Sequence, residues 1–441
     1  MKSQIISQSQ RQQIQQAYER ALVAMGGQEQ NHLLAHRLLS ECIVQDPGTP
    51  IYINALFENL QSFPNRPVAA WISKIRNWKF FQAAKRQRIP DAIGFGLKAL
   101  YRHSTDLSVL CHLAEVCQAA ELWEATECYL RQALLHYPND QWATQLLAGA
   151  LLQQARFEES FYYWQQLPAD KQSAAEVQEI IQCLETNLPA TKITSAANPP
   201  NHWEEKIAEN PTAPKLYLEF TQQLVQEHRW DEATSLLTRG LSATGSNPDL
   251  LDLMETVRLD SYRHRHEIAG TLHQINPQIL GLETLRDLQS ELSRTELQVY
   301  ERRARRYPTD YRYQLQLAIC LRQTGNYRGA LKQLELIPKM DQTAAEVALE
   351  TGKCRQHLHQ FSEAEAAYRH LIDELENQAE RCIYEQALYH GGILTDAMGN
   401  AQLARTWLDR LLKISPDYQD ARDRLDKIKV ISDNKGTDNS T

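Results

Sequence analysis

Small, apolar and aromatic residues return along this chain with a period of 34, and within one period they fall on two helical stripes separated by a short polar break. Repeats begin at residues 16, 73, 107, 141, 214, 311, 345 and 385. Position 20 of the repeat is always small: Ala35, Ala92, Thr126, Ser160, Ala233, Ala330, Ala364 and Ala404. Position 8 is small in Ala114, Ala148, Thr221, Ala318, Gly352 and Gly392, and position 7 is apolar in Leu113, Leu147, Phe220 and Leu317. Position 17 is aromatic in Trp123, Phe157, Trp230, Tyr327 and Phe361, and prolines stand at position 32 as Pro47, Pro138 and Pro416 and at the equivalent place, three residues before the repeats at 214 and 311, as Pro211 and Pro308. The pattern predicts one helix over positions 1 to 14 and an antiparallel one over 18 to 30, with a turn such as Thr324-Gly325-Asn326 between them. Positions 8 and 20 are expected to face each other at the crossing, where axes about 8 to 10 Å apart leave no room for a bulky pair. The aromatic at 17 is expected to fill the gap beside them. Proline at 32 ends the second helix, because it lacks an amide hydrogen and disfavours helical backbone in the preceding residue.

The period breaks in two places. Repeats starting at 214 and 311 lie 97 residues apart, which is no multiple of 34, and the interval fits two longer helices, about Asp249 to Ile275 and Leu282 to Tyr307. On the second, Leu285, Leu288, Leu292 and Val299 form one apolar stripe, so an extended helical hairpin over about 248–310 is expected within the array. Residues 187–202 hold three prolines and no apolar periodicity. They read as a linker between an N-terminal array over 1–186 and a C-terminal one over 203–431. The tail 432–441 has no hydrophobic anchor and is expected to be disordered.

These offsets resemble the tetratricopeptide repeat (TPR), most closely in Gly325-Asn326-Tyr327-Arg328-Gly329-Ala330 and Phe361-Ser362-Glu363-Ala364, and the chain is similar to large bacterial TPR proteins of unassigned activity. No repeat has the Trp of that family at position 4, and His32, Ile89 and Ala401 replace the aromatic at 17. The resemblance implies an all-α fold, an α-α superhelix or solenoid, whose concave face is lined by positions 2, 5, 9, 12 and 13 of the first helices. Here those positions include Lys74, Asn77, Phe81, Lys85, Glu115, Trp142, Arg312, Arg322 and Lys353, with Leu315 and Tyr389 among the others. The Lys/Asn/Asn/Lys/Arg clamp with which the chaperone-binding subgroup grips a terminal carboxylate is not reproduced.

Composition narrows the classes further. With 42% hydrophobic and 23% charged residues and a mean hydropathy of -0.52, and with no apolar run longer than Leu146–Leu152, a membrane span is excluded. The first residues show no secretory pattern, so a cytoplasmic location is expected. Eight scattered cysteines without a Cys-x-x-Cys pair form no disulfide framework. Cys320 and Cys354, both at position 10, are expected to pack as small apolar groups. No phosphate-cradling loop or nucleophile elbow is present, and His266-Glu267 lacks its second histidine because Gly270 stands there. The nearby Cys354, His357 and His359 fall on different sides of one helix end, so neither metal nor cofactor is expected.

Charge is uneven. The chain carries -8 overall, yet 66–102 holds nine Lys or Arg and one acid, Asp91, interleaved with Trp71, Trp78, Phe80 and Phe81. Such a segment can stack bases and meet phosphates. It is also what a degenerate first helix looks like when Trp78 and a phenylalanine enter the core and cationic stems cover apolar surface. The favoured reading is a non-enzymatic scaffold or adaptor that binds a protein or peptide segment on the concave face. The alternative is a regulator that contacts nucleic acid through 66–102. Limited proteolysis should cut first within 187–202, since proline-rich backbone outside helices is open to proteases; first cuts inside 107–174 or 311–371 would contradict the expected linker.

Overall fold

The computed structural model describes residues 7–26, 31–63, 77–86, 88–168, 175–188, 202–277, 279–338, 343–375 and 381–428, and every regular element among them is a helix. The chain divides into two compact units, Met1–Gln289 and Ser290–Thr441. In the first, α1 (Gln8–Gly26) pairs with α2 (His32–Gln45), α4 (Trp78–Lys85) with α5 (Ile89–Arg102), α6 (Leu107–Ala119) with α7 (Trp123–His136), α8 (Gln141–Gln153) with α9 (Phe157–Gln165), and α12 (Pro214–Gln226) with α13 (Trp230–Thr244). Between these lie α3 (Pro50–Gln61), α10 (Ala175–Asn187) and α11 (His202–Glu209), followed by α14 (Pro248–Ile275) and the start of α15 (Leu282–Arg306). The second unit pairs α16 (Tyr311–Gln323) with α17 (Tyr327–Leu334), α18 (Ala344–His357) with α19 (Phe361–Leu375), and α20 (Arg381–Ala397) with α21 (Ala401–Ile414), and ends in helical residues 421–428. Consecutive repeats stack first helix against first helix, as α4 does on α6, α6 on α8, α16 on α18 and α18 on α20. This is the all-α, TPR-like array of helix pairs anticipated above, with helix bounds within a residue or two at α8, α16 and α18.

The crossing is as close as the small residues require. Ser160 Oγ donates to the carbonyl of Ala148 at 2.7 Å and Thr126 Oγ1 to that of Ala114 at 3.4 Å, so position 20 touches the backbone of position 8. A Cβ on Gly352 would lie 2.6 Å from Tyr368, and one on Gly392 would lie 2.9 Å from Leu408. Ala318 and Ala330 are likewise buried at 1% and 0% exposure. Position 17 does not behave uniformly: Phe157 is buried, whereas Phe361 is 40% exposed, with His359 edge-on to its ring. Cys320 and Cys354 are free and buried inside their first helices, as expected.

A second regularity lies at position 15, the residue after the C-cap of the first helix, in six repeats. Glu121, Ala155, His228, Gly325, His359 and Gly399 all have positive φ, between 55° and 84°. In every case the next amide reaches back to the carbonyl of position 11: Leu122 to Cys117, Arg156 to Leu151, Arg229 to Leu224, Asn326 to Leu321, Gln360 to Arg355 and Asn400 to Thr395, at 2.8 to 3.0 Å. The left-handed residue thus closes the helix end and reverses the chain. Only two of the six are glycine, so at the other four an L-side chain sits in backbone that glycine tolerates better.

Helix α3 departs from the array. It lies between the repeats at 16 and 73 and packs across α2 and α7. Ile53, Leu56, Phe57 and Leu60 are buried, and the Phe57 ring meets Tyr129 edge-on at 5.9 Å. Further along, the turn after α8 is tied to the long helices. Gln153 donates to the Ile279 carbonyl at 2.7 Å and accepts from the Gly281 amide at 3.1 Å, while Arg265 donates to the Ala155 carbonyl at 2.9 Å. His264 Nε2 bonds the Asn187 carbonyl at 2.7 Å. Leu152, Trp164, Leu184, Ile268, Leu272 and Leu288 share one core. Helices before and after the expected linker therefore pack together in one unit; 189–201 themselves, like the tail from 432, lie outside the described residues. Both long helices are present, and Leu288, Leu292 and Val299 of the expected stripe are buried.

Two substitutions probe these features in opposite directions. Ala330→Leu should lower stability by about 1 to 3 kcal/mol through overpacking of the crossing. Exposed Glu121→Gly should raise it by about 0.5 to 1 kcal/mol by relieving the left-handed strain. Thermal unfolding of the two variants decides both, and a silent Ala330→Leu would mean the register is misplaced.

Candidate interaction surface

In the first unit the first-helix face carries a chain of rings. Phe81 on α4 meets His112 on α6 edge-on at 4.9 Å, and His112 meets Trp142 on α8 edge-on at 5.0 Å. Phe81 leans on Phe80 at 5.0 Å, and Phe80 is buried at 1% exposure, so the outer ring is propped by the core. His112 Nδ1–H donates to the Ser108 carbonyl one turn back at 2.7 Å, which fixes the ring. All three rings are half-buried. They come from positions 9, 6 and 2 of successive repeats, the drift that stacked helices impose on a line running across them.

In the second unit the same face is ionic. Buried Glu350 on α18 accepts from Arg322 Nε of α16 at 2.5 Å and from Lys353 Nζ at 2.8 Å, and Lys353 also donates to Gln386 Oε1 of α20 at 2.9 Å. His357 stacks on Tyr327 at 4.5 Å, and His390 lies parallel to Tyr368 at 6.3 Å. Tyr368 passes under Gly352 and donates its hydroxyl to Gln356 Oε1 at 3.1 Å. Burial, reinforced by the Lys353 charge, pushes His390 down to about 4, so its imidazole is neutral at pH 7.

The expected face residues fare unevenly. Phe81 and Trp142 are brought together, and Lys85 is exposed beside them at the end of α4. Glu115 is half-buried on α6. Asn77 is buried at the start of α4 and is not offered to a partner, and Lys74 lies outside the described residues. Arg312 is exposed but turns back on Asp310, the cap of its own helix, at 2.8 Å. Arg322 and Lys353 are not free surface cations, because both are bound to Glu350. Leu315 is buried at 1%, and Tyr389 is buried with its hydroxyl on Asp420 at 2.6 Å. The positional rule skipped position 6, where His112, Glu350 and His390 all stand; three polar residues at one core-flanking position were the available signal. Of the basic segment, Lys79, Lys85, Arg86 and Arg88 are exposed, and Trp78 is 54% exposed instead of entering the core, since Phe80 takes that place.

No family model matches the chain, and no curated protein matches it. Among solved structures it is similar to YrrB, a TPR protein with an unusual peptide-binding site, at 14% identity over 51% of this chain and 98% of that one, with a TM-score of 0.33. It is similar to yeast Tom70 at 13% identity over 82% and 96%, with a TM-score of 0.29. The human IFIT1 dimer with m7Gppp-AAAA aligns at 14% identity over 92% and 90%, with a TM-score of 0.29. Likenesses of this size carry nothing about a partner for this chain. Among the described residues no helix is long and apolar enough to cross a membrane, and no group of three or more His, Cys, Asp and Glu is placed to hold a metal ion.

His390 gives a pH signature. Its folded value of about 4 lies below the ordinary 6.5, so the unfolded chain binds the extra proton first on acidification. Its contribution is complete above pH 6.5 and is lost progressively as pH falls towards 4. Unfolding midpoints measured across that range should fall less steeply in His390→Gln than in the parent chain; identical slopes would contradict the buried neutral imidazole.

Proposed function

We propose that this protein is a non-enzymatic scaffold or adaptor in the cytoplasm that takes a segment of a partner protein across its first-helix face, the concave side of the stacked pairs. The reading rests on the ring chain Phe81–His112–Trp142, which crosses three consecutive first helices, is half-buried along its length and is held in place by Phe80 and Ser108. Preplaced aromatic rings cost little ordering entropy on binding, and such residues commonly dominate interface energetics. Lys85 and Glu115 flank the rings and would set orientation and rate more than affinity. Phe81→Ala and Trp142→Ala should each weaken capture of the partner by about tenfold or more, as expected of hot-spot anchors, in chains that remain folded at the temperature of the assay. Affinity purification from the native cell with mass spectrometry supplies the readout, and an unaltered set of captured proteins would overturn the reading.

One observation favours a second reading. Trp78 is exposed next to Lys79, Lys85, Arg86 and Arg88, a pairing of ring and cations suited to single-stranded nucleic acid. Binding through these groups would weaken steeply with salt, because each neutralised phosphate releases counterions. A flat salt dependence, or an unchanged affinity in Trp78→Ala, would eliminate it.

A further inference from the structure

A cavity of about 150 Å³ opens in the second unit between α16, α18 and α20, walled by Arg322, Lys353, Gln356, His357 and His390. None of these five side chains is an acid, and their hydrogen-bonding capacity is one-sided. Arg322 gives only its Nε–H to Glu350, so its terminal N–H groups remain. Lys353 gives two of its three hydrogens to Glu350 and Gln386. The Gln356 carbonyl oxygen is occupied by the Tyr368 hydroxyl, which leaves the amide NH2 as its free end. Tyr368 can reach it only because residue 352 has no side chain. The stacked pairs Tyr327–His357 and Tyr368–His390 hold both imidazoles in place.

We infer that this cavity is a binding site for a tetrahedral oxyanion of the phosphate class, held by Arg322, Lys353 and Gln356. Donors arriving from more than one helix, around a space of this size, suit an ion whose oxygens point in four directions better than a planar group with two. Glu350 explains how the empty site is tolerated. The two cations of the wall and the carboxylate bonded to them from behind it sum to +1, enough to attract an anion without stranding two uncompensated charges in a half-buried place. The volume admits the ion itself or the terminal phosphoryl group of a larger molecule, with His357 at the exposed rim. The site and the ring chain of the proposed partner surface share no residue and belong to different units, so either reading can fail without the other.

Titration calorimetry of the full chain with inorganic phosphate, against chloride at equal ionic strength, tests the site. Saturable binding is expected in the parent chain. Lys353→Met should weaken it by about tenfold or more, the value of a charge-assisted hydrogen bond. Glu350→Gln keeps one acceptor oxygen where the carboxylate has two and removes the competing charge, and should tighten binding by about fivefold, a gain that a purely structural cluster does not produce. Gln356→Leu, which leaves the ion pairs intact, should also weaken binding and replaces Lys353→Met if that variant fails to fold. A phosphoserine peptide and its serine counterpart separate the sources: tighter binding of the phosphopeptide than of inorganic phosphate assigns a protein-borne group, and equal or weaker binding assigns the free ion. Absence of saturable phosphate binding in both the parent and Glu350→Gln, or equal affinity across all variants, overturns the inference.

Discussion

Two helices can run side by side in each pair only because nothing large stands at their crossing. Where Ser160 and Thr126 donate to carbonyls of the facing helix, and where Gly352 and Gly392 leave no room for a Cβ, the backbones approach to a distance that alanine barely allows. That approach sets the tilt of each pair, and the tilt sets which positions of successive first helices come into line. Phe81, His112 and Trp142 meet because of it, although they belong to three repeats and to three different positions. Gly352 shows the same dependence in another form: the space it vacates lets Tyr368 reach Gln356 and so shapes the cavity above.

The chain reversal inside each pair adds a second constraint. A left-handed residue at position 15, with the following amide bonded to position 11, recurs in six repeats whatever the side chain. Strain carried by Glu121, Ala155, His228 and His359 is outweighed by the burial that each correctly reversed pair secures. At Ala155 the reversal has a further use, since its carbonyl receives Arg265 from the long helix α14 and ties the end of one pair to elements more than a hundred residues away.

Polar groups on the two first-helix faces follow different logic. In the first unit the rings support one another and need no charge. In the second, Arg322 and Lys353 converge on Glu350, and taking any one of the three away would leave charge uncompensated in a half-buried place. Cations that appear along the chain as surface charges are thus internal to a network. Their availability to a partner is governed by geometry two helices away.

Periodicity was enough to place the helix pairs, the crossing residues, the buried cysteines and the two long helices near 248–275 and 282–306, because burial of one face imposes a 3.6-residue rhythm and the 34-residue unit repeats it. It was not enough for contacts that depend on how repeats lie against each other. The packing of α3 across α2 and α7, the bonds from Gln153 to Ile279 and Gly281, and the shared core on both sides of 189–201 join residues with no common period. The partners of position 6 of the first helices, and with it of His112, Glu350 and His390, were decided in the same way. The sequence by itself determined an all-α array and its small-residue crossings, since those are local and repeated; tertiary structure decided which polar side chains meet, because a contact between repeats depends on the angle between helices and leaves no rhythm in the chain.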